Sequence, residues 1–217
     1  MTMIAVLPVK RFDAAKQRLA DAFDDATRRA LVEAMLTDVL TALRRTGRVD
    51  AVVLVTSEPR AQGLAHAHDA TVIADPAQPG HSAAAGHGRA WAVEHGATRV
   101  LLVPGDCPAL DPVEVDALLA GADDPAVVIV PDRHGSGTNA LVLAPPHAID
   151  PSFGPGSRAR HEAAAAASGA TWAIAQPPSL LLDVDTAEDL ALLRDALAAR
   201  GSHGAHTHAL LDRLVAP

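Results

Sequence analysis

M-I-A-V-L-P-V-K-R-F-D-A-A-K-Q-R-L, residues 3–19, is the stretch from which the rest of the chain can be read. Its first half, Met3 to Val9, is an unbroken apolar run of strand length, as expected of a strand covered on both faces. Its second half holds the only two lysines of the chain, Lys10 and Lys16, and Arg18 adds a third positive charge. Lysine is a compact, mobile point charge, whereas arginine is a planar fork. A loop that meets nucleotide phosphates can use such a charge. In an α/β protein, a cationic loop at the C-terminal end of the first strand lies where nucleotides bind. The loop lacks the G-x-x-x-x-G-K-[ST] pattern, so it is not a P-loop. Lys10, Lys16 and Arg18 are therefore candidate phosphate-binding and catalytic residues.

Working outward, strand-like and helix-like segments alternate. Residues 25–45 carry Leu31, Met35, Val39 and Leu43 at helical spacing, with Asp24 or Asp25 as the cap. Strands are expected at 51–56, 71–74, 99–103, 126–130, 140–143, 171–175 and 180–184. Helices are expected at 60–68, 82–95, 113–119, 157–167 and from Thr186 onward, where Asp189 completes a capping-box-like pair. The segment D-P-A-Q-P-G-H at 75–81 reads as a turn. This alternation predicts an α/β fold with a mostly parallel, doubly wound sheet and helices on both faces. With no linker in sight, one domain is expected over residues 1–200. A tail at 201–217 follows, containing S-H-G-A-H-T-H and expected to be loosely ordered.

The chain is 49% apolar with only 2% aromatic residues and no Tyr. Its core must be built from Ala, Val and Leu, which suits helices on a parallel sheet. A net charge of −8 argues against nucleic-acid or anionic-membrane binding. Cys107 is the single cysteine, so no intrachain disulfide is possible, and a reducing cytosol is expected. No signal-type segment and no run of membrane-spanning length is visible, so the expected location is cytoplasmic. Oligomeric state is not legible.

Three further constellations carry chemistry. V-P-G-D-C-P at 103–108 puts Asp106 just past a buried strand, where a carboxylate near phosphates is a natural Mg²⁺ ligand. Cys107 has no base beside it in sequence and reads as a structural thiol. L-L-L-D-V-D-T-A-E-D at 180–189 offers Asp183 and Asp185, which strand alternation turns to one face. One of them is the second metal ligand, and Asp183 is favoured because Asp185 can help cap the following helix. D-R-H-G-S-G-T-N-A-L at 132–141 and F-G-P-G-S-R-A-R-H at 153–161 are glycine-rich loops whose amides can approach a ligand. Ser157 is suited to cap a helix. Arg158 and Arg160 in its first turn oppose the helix dipole, which suggests a bound anion. His134 is a candidate ligand contact. His66, His68, His87 and His95 read as helix-surface residues, and His203, His206 and His208 as a solvated tail.

Taken together, V-K…K-x-R-L, P-G-D-C-P, D-R-H-G-S-G-T-N-A-L, F-G-P-G-S and D-V-D-T-A-E-D-L resemble the guanylyltransferases of coenzyme F-420 biosynthesis, over nearly all of the chain to about residue 200. The D-R-H-G-x-G-T-N and F-G-P-G-S pair is the specific part. The resemblance implies a Rossmann-like nucleotidyltransferase fold, GTP as donor, and phosphoenolpyruvate or 2-phospho-L-lactate as acceptor. It also implies that Thr138, Gly154 and Ser157 hold the acceptor. The family often has G-L-N-A-A where this chain has Gly80-His81-Ser82-Ala83-Ala84, a segment expected near the base or ribose, so Gly80 and Ser82 are candidates there. Cys107 stands where an aliphatic residue is more usual. An Arg- and Ala-rich composition suggests a high-GC bacterium, for which the resemblance implies phosphoenolpyruvate. The competing readings are a nucleotidyltransferase with another acceptor, such as a molybdopterin or sugar phosphate, and a non-catalytic nucleotide- or metal-binding module using the His-rich tail.

Overall fold

All six residues of the first strand, β1 (Met3–Pro8), are buried because both faces of the strand are covered. Met3, Ala5 and Leu7 enter one core cluster, while Ile4 and Val6 enter the other. The structure, a computed structural model, describes residues 1–75, 80–121, 125–200 and 203–215. The remaining strands are β2 (Ala51–Val55), β3 (Thr71–Ile73), β4 (Arg99–Leu102), β5 (Val127–Pro131), β6 (Thr138–Leu143) and β7 (Trp172–Ile174). They form one sheet in the order β3-β2-β1-β4-β6-β5-β7. The helices are α1 (Asp25–Arg45), α2 (Pro59–Ala67), α3 (His81–Glu94), α4 (Pro112–Ala120), α5 (Ser157–Ser168), α6 (Ala187–Arg200) and α7 (Ala205–Val215). Helices α1, α2, α4, α6 and α7 feed the first core cluster, and α3 and α5 the second. This is the expected Rossmann-like α/β architecture. Among the described residues no helix is long and apolar enough to cross a membrane.

Helix α1 buries Leu31, Met35, Val39 and Leu43. Asp24 caps it, accepting from the Thr27 amide at 2.8 Å. Helix α3 approaches the sheet through small residues. A Cβ on Gly88 would lie 2.3 Å from Val6 Cγ1 and 2.8 Å from Val55 Cγ2. Only glycine permits that spacing between helix and strands.

Strand β1 pairs in parallel with β2 on one side and β4 on the other. A chain that leaves β1 in opposite directions opens a crevice at the carboxyl ends of the strands. Strand β6 runs antiparallel to both β4 and β5. Leu102, the last residue of β4, faces Leu141, so Thr138 and Asn139 at the start of β6 project past the end of β4. The reversal thus carries the loop before β6 to the edge that holds the loops after β1 and β4.

Three expectations need correction. Residues 180–184 are not a strand: a 3-10 turn at Pro178–Leu180 leads into an irregular segment. Leu180 and Val184 are buried, which produced the strand-like pattern. Their backbone groups bond instead to the Asn139 amide and to the Asp106 carbonyl. The tail is not loose: α7 packs on α1, with Leu211 in the core. Ser157 is not a cap, because Gly156, with φ 70°, occupies that place and Ser157 is the first helical residue. The turn expected at 75–81 falls largely outside the described residues, as do residues 201, 202, 216 and 217 of the tail.

Candidate active site

The cationic loop is fixed by its apolar residues. Phe12 and Leu19 are buried in the core beneath it. The Phe12 amide donates to Glu58 Oε2 at 3.1 Å, and the Val9 amide to the Val55 carbonyl at 3.0 Å. This anchoring leaves Lys10 and Arg18 exposed, with no hydrogen bond or ion pair among the described residues. Lys16 takes a left-handed conformation, with φ 54°. That turn sends its side chain inward, where it is only 6% exposed.

The Lys16 ammonium donates to Asp106 Oδ2 and, at 2.9 Å, to Asp185 Oδ1. Burial opposes its charge, but the Asp106 and Asp185 carboxylates outweigh burial and hold its pKa above the ordinary value. Lys16, expected to meet phosphates, is paired with two carboxylates in this structure. Asp183 stands beside this pair. Its Oδ1 accepts from Asn139 Nδ2 at 3.2 Å. Burial first, and then the charge of Asp106, push its pKa up to about 6. Cys107 is fully buried, and burial pushes its thiol well up, as a structural thiol requires.

One cavity of about 720 Å³ collects these groups. Lys10, Lys16, Arg18, Asp106 and Asp183 line it, together with Asp185. Thr138, Gly154 and Ser157 line its other wall, and Ser82 and His134 also reach it. Gly80 lies instead on a smaller cavity that shares Pro8, Val9, Lys10 and His81 with the first. Residues as far apart in the chain as Lys16 and Asp185, 169 positions, thus meet at one sheet edge.

Arg158 and Arg160 both make bonds within the protein. Arg158 bonds Glu162 at 2.7 Å and the Gly135 carbonyl at 3.3 Å. Arg160 bonds Ser152 Oγ at 2.8 Å and the Ser152, Pro155 and Phe153 carbonyls. They staple the two glycine-rich loops to α5. Arg133 does the same for α6 through Asp189 at 2.8 Å. Asp189 caps that helix by accepting from the Thr186 amide and hydroxyl.

His161 was not singled out from the sequence, although it closes the F-G-P-G-S-R-A-R-H motif. It is fully buried. Its Nε2 accepts from the Ser152 amide at 2.8 Å, so the ring proton must sit on Nδ1. Nδ1 lies 3.0 Å from Thr138 Oγ1 and donates to it. The Thr138 hydroxyl, already an acceptor, is left to donate its own proton into the cavity. Ser157 lines the same cavity, and its buried Oγ has no hydrogen-bond partner among the described residues. Two hydroxyls therefore face the cavity with hydrogen-bonding capacity to give.

The carboxylates suit a magnesium ion. Asp106 Oδ1 is buried without a partner among the described residues, and the Asp183 pKa is raised by burial and then by the charge of Asp106, which a cation would neutralise. Among the described residues no group of three or more His, Cys, Asp or Glu side chains assembles a metal cage. Mg²⁺ needs none, since it takes one or two carboxylates and fills its shell with water and phosphate oxygens. The tail histidines form no metal set either: His206 bonds Asp38 at 2.9 Å and His208 pairs with Asp212 at 3.2 Å.

Comparison with known proteins shows the family of the chain. The family described as "Guanylyl transferase CofC like" matches residues 3–210. A phosphoenolpyruvate guanylyltransferase of Conexibacter woesei is 51% identical over 217 residues, covering 99% of this chain and 97% of that one. A 3-phospho-D-glycerate guanylyltransferase of Phenylobacterium zucineum is 38% identical, covering 97% and 95%. Among solved structures, a protein described as a nucleotide-diphospho-sugar transferase from Desulfovibrio desulfuricans G20 superimposes with a TM-score of 0.79 at 17% identity, over 98% of this chain and 95% of that one.

Proposed function

Because the chain belongs to the CofC-like guanylyl transferase family, its chemistry is guanylyl transfer, and we propose that it transfers GMP from GTP to the phosphate of phosphoenolpyruvate. An acceptor phosphate oxygen attacks the α-phosphorus, the bond from that phosphorus to the β-phosphate oxygen breaks, and diphosphate leaves. The product is the mixed anhydride expected at this stage of coenzyme F-420 biosynthesis. The observation that carries the reading is one cavity holding the Lys16–Asp106–Asp185 cluster on one wall and the Thr138 and Ser157 hydroxyls on the other.

Such a transfer depends on positioning and charge neutralisation more than on a protein nucleophile. No general base is required, since a phosphate monoester is already ionised near neutral pH. Lys10 and Arg18, without partners among the described residues, meet the triphosphate and the departing diphosphate. Lys16 keeps Asp106 and Asp185 in place. The Thr138 hydroxyl, oriented through His161, donates to the acceptor, with Ser157 Oγ and the Gly154 amide beside it. Asp106 and Asp183 would hold Mg²⁺, which would supply Lewis-acid neutralisation of phosphate charge. The single buried cysteine supports action in a reducing cytosol.

The relatives act on different three-carbon acids, as their names state, so the acceptor is decided by competition. The purified chain is mixed with GTP, Mg²⁺ and either phosphoenolpyruvate, 2-phospho-L-lactate or 3-phospho-D-glycerate, and diphosphate release is measured. The highest kcat/KM is expected with phosphoenolpyruvate. Preference for another acid would move the acceptor and leave guanylyl transfer standing. Release with none of them would defeat the reading.

A further inference from the structure

Asp75 lies two residues beyond β3 and is only 7% exposed. Its Oδ1 is buried and has no hydrogen-bond partner among the described residues. A buried carboxylate oxygen without a donor is costly, so a native chain that keeps one calls for an explanation, and a bound ligand is one. Asp75 lines the smaller cavity, of about 100 Å³, that adjoins the cavity holding the phosphate-facing lysine loop. Pro8, Val9 and Ala84 make apolar walls there, and Lys10, Arg11, Ser57, Gly80 and His81 line the rest of it. A nucleotide whose phosphates lie along Lys10 therefore has an apolar slot beside it with one acceptor-only group inside.

We propose that Asp75 is the residue that selects guanine. An ionised carboxylate accepts hydrogen bonds through two oxygens and donates none. Its partner must offer two neighbouring donors. Among the common bases only guanine does so on one edge, through N1–H and the 2-amino group. Adenine and cytosine each present a donor beside a ring-nitrogen acceptor, and that lone pair would face the carboxylate. Hypoxanthine keeps N1–H and lacks the 2-amino group, so it leaves one carboxylate oxygen buried and unpaired. The assignment rests on the guanylyl-transfer reading for the identity of the nucleotide, and it adds the group that enforces it.

The test is equilibrium binding of GTP, ITP, ATP and 2′-deoxy-GTP, in the presence of Mg²⁺, to the wild-type chain and to Asp75→Asn and Asp75→Ala. A site built to hydrogen-bond a donor rejects the analogue lacking it, so wild type should bind GTP at least ~10-fold more tightly than ITP and reject ATP by ~10³-fold or more. Both variants should lose GTP affinity and bring the GTP-to-ITP ratio towards one, an effect that general loosening of the fold would not produce. Equal binding of GTP and ITP by wild type would overturn the proposal even if neither variant folds. So would variants that keep the wild-type ratio. Discrimination against 2′-deoxy-GTP without discrimination against ITP would assign Asp75 to the ribose and overturn it too. Failure of guanylyl transfer looks different: GTP binds with the expected ratio but releases no diphosphate with any acid. A wild-type chain that does not bind GTP would defeat both.

Discussion

At the scale of single residues, the site is a set of charges that restrain one another. Asp106 is held by Lys16 through one oxygen and keeps the other without a partner among the described residues. Asp106→Asn should fold normally and lose turnover by on the order of 10²-fold or more, read as kcat at saturating GTP and acceptor. Activity within a factor of a few of wild type would remove Asp106 from the metal assignment. His161 makes a prediction that pH can check. Burial, and then the charge of Arg160, lower its pKa to about 4. The unfolded chain takes up this proton near pH 6.5, as ordinary imidazoles do, whereas the folded chain resists it until about 4. The folded state is therefore favoured in full above pH 6.5 and loses that preference as pH falls towards 4. The contribution is about 3 kcal/mol at most. Denaturant titrations from pH 7 to 4 should show this loss, and His161→Gln should flatten it. The same variant should raise the KM for the acceptor more than that for GTP, because the Thr138 proton is no longer directed.

At the scale of elements, the strands and helices that carry strong periodicity were legible, and the connections between them were not. Helix α1 has the bounds that Leu31, Met35, Val39 and Leu43 announce. Residues 180–184 misled because Leu180 and Val184 are buried without pairing: the alternation reported burial, and burial has more than one cause. Asp183 and Asp106 were legible as carboxylates at the sheet edge. Lys16 was legible as a residue of the sheet-edge loop, but its left-handed turn was not, and its pairing with Asp185 depends on a residue 169 positions away. His161 was missed because a buried histidine between alanine-rich turns has no signature until Ser152 and Thr138 are seen on its two nitrogens. Gly88 offers a test at this scale. Gly88→Ala gains helix propensity of about 1 kcal/mol yet drives a methyl group into Val6 and Val55. Overpacking of this kind costs roughly 1–3 kcal/mol, so a net loss in denaturation midpoint is expected. Activity should fall too, since the Val55 carbonyl holds the start of the lysine loop through the Val9 amide. A variant as stable as wild type would mean that α3 can back away from the sheet.

At the scale of the whole molecule, α7 closes the core. Its first turn is bound by a carboxylate from the middle of α1. Asp38 accepts from the Thr207 amide at 2.8 Å, from the Thr207 hydroxyl at 2.7 Å and from the His206 amide at 3.0 Å. Thr207 is fully buried. Asp38→Ala should therefore strand buried donors at a cost of about 2–4 kcal/mol. In a chain of this size that lowers Tm by roughly 5–15 °C, with GTP affinity at 25 °C unchanged. An unshifted Tm would mean that α7 is not held through its N-terminus.

The reversed strand β6 has a consequence for how the chain is made. Strand β4 has β1 on one side, and its other side is closed by a strand that begins at Thr138. During synthesis, residues 99–102 emerge well before their second partner. Val100, Leu101 and Leu102 then offer an unpaired apolar ladder, which is the kind of edge that recruits other chains. Natural sequences shield such edges with charge, and Arg99 is the only charged residue in β4. Fragments ending between residues 103 and 137 should accordingly be prone to self-association, and productive folding should wait for the β5–β6 pair to arrive as a unit.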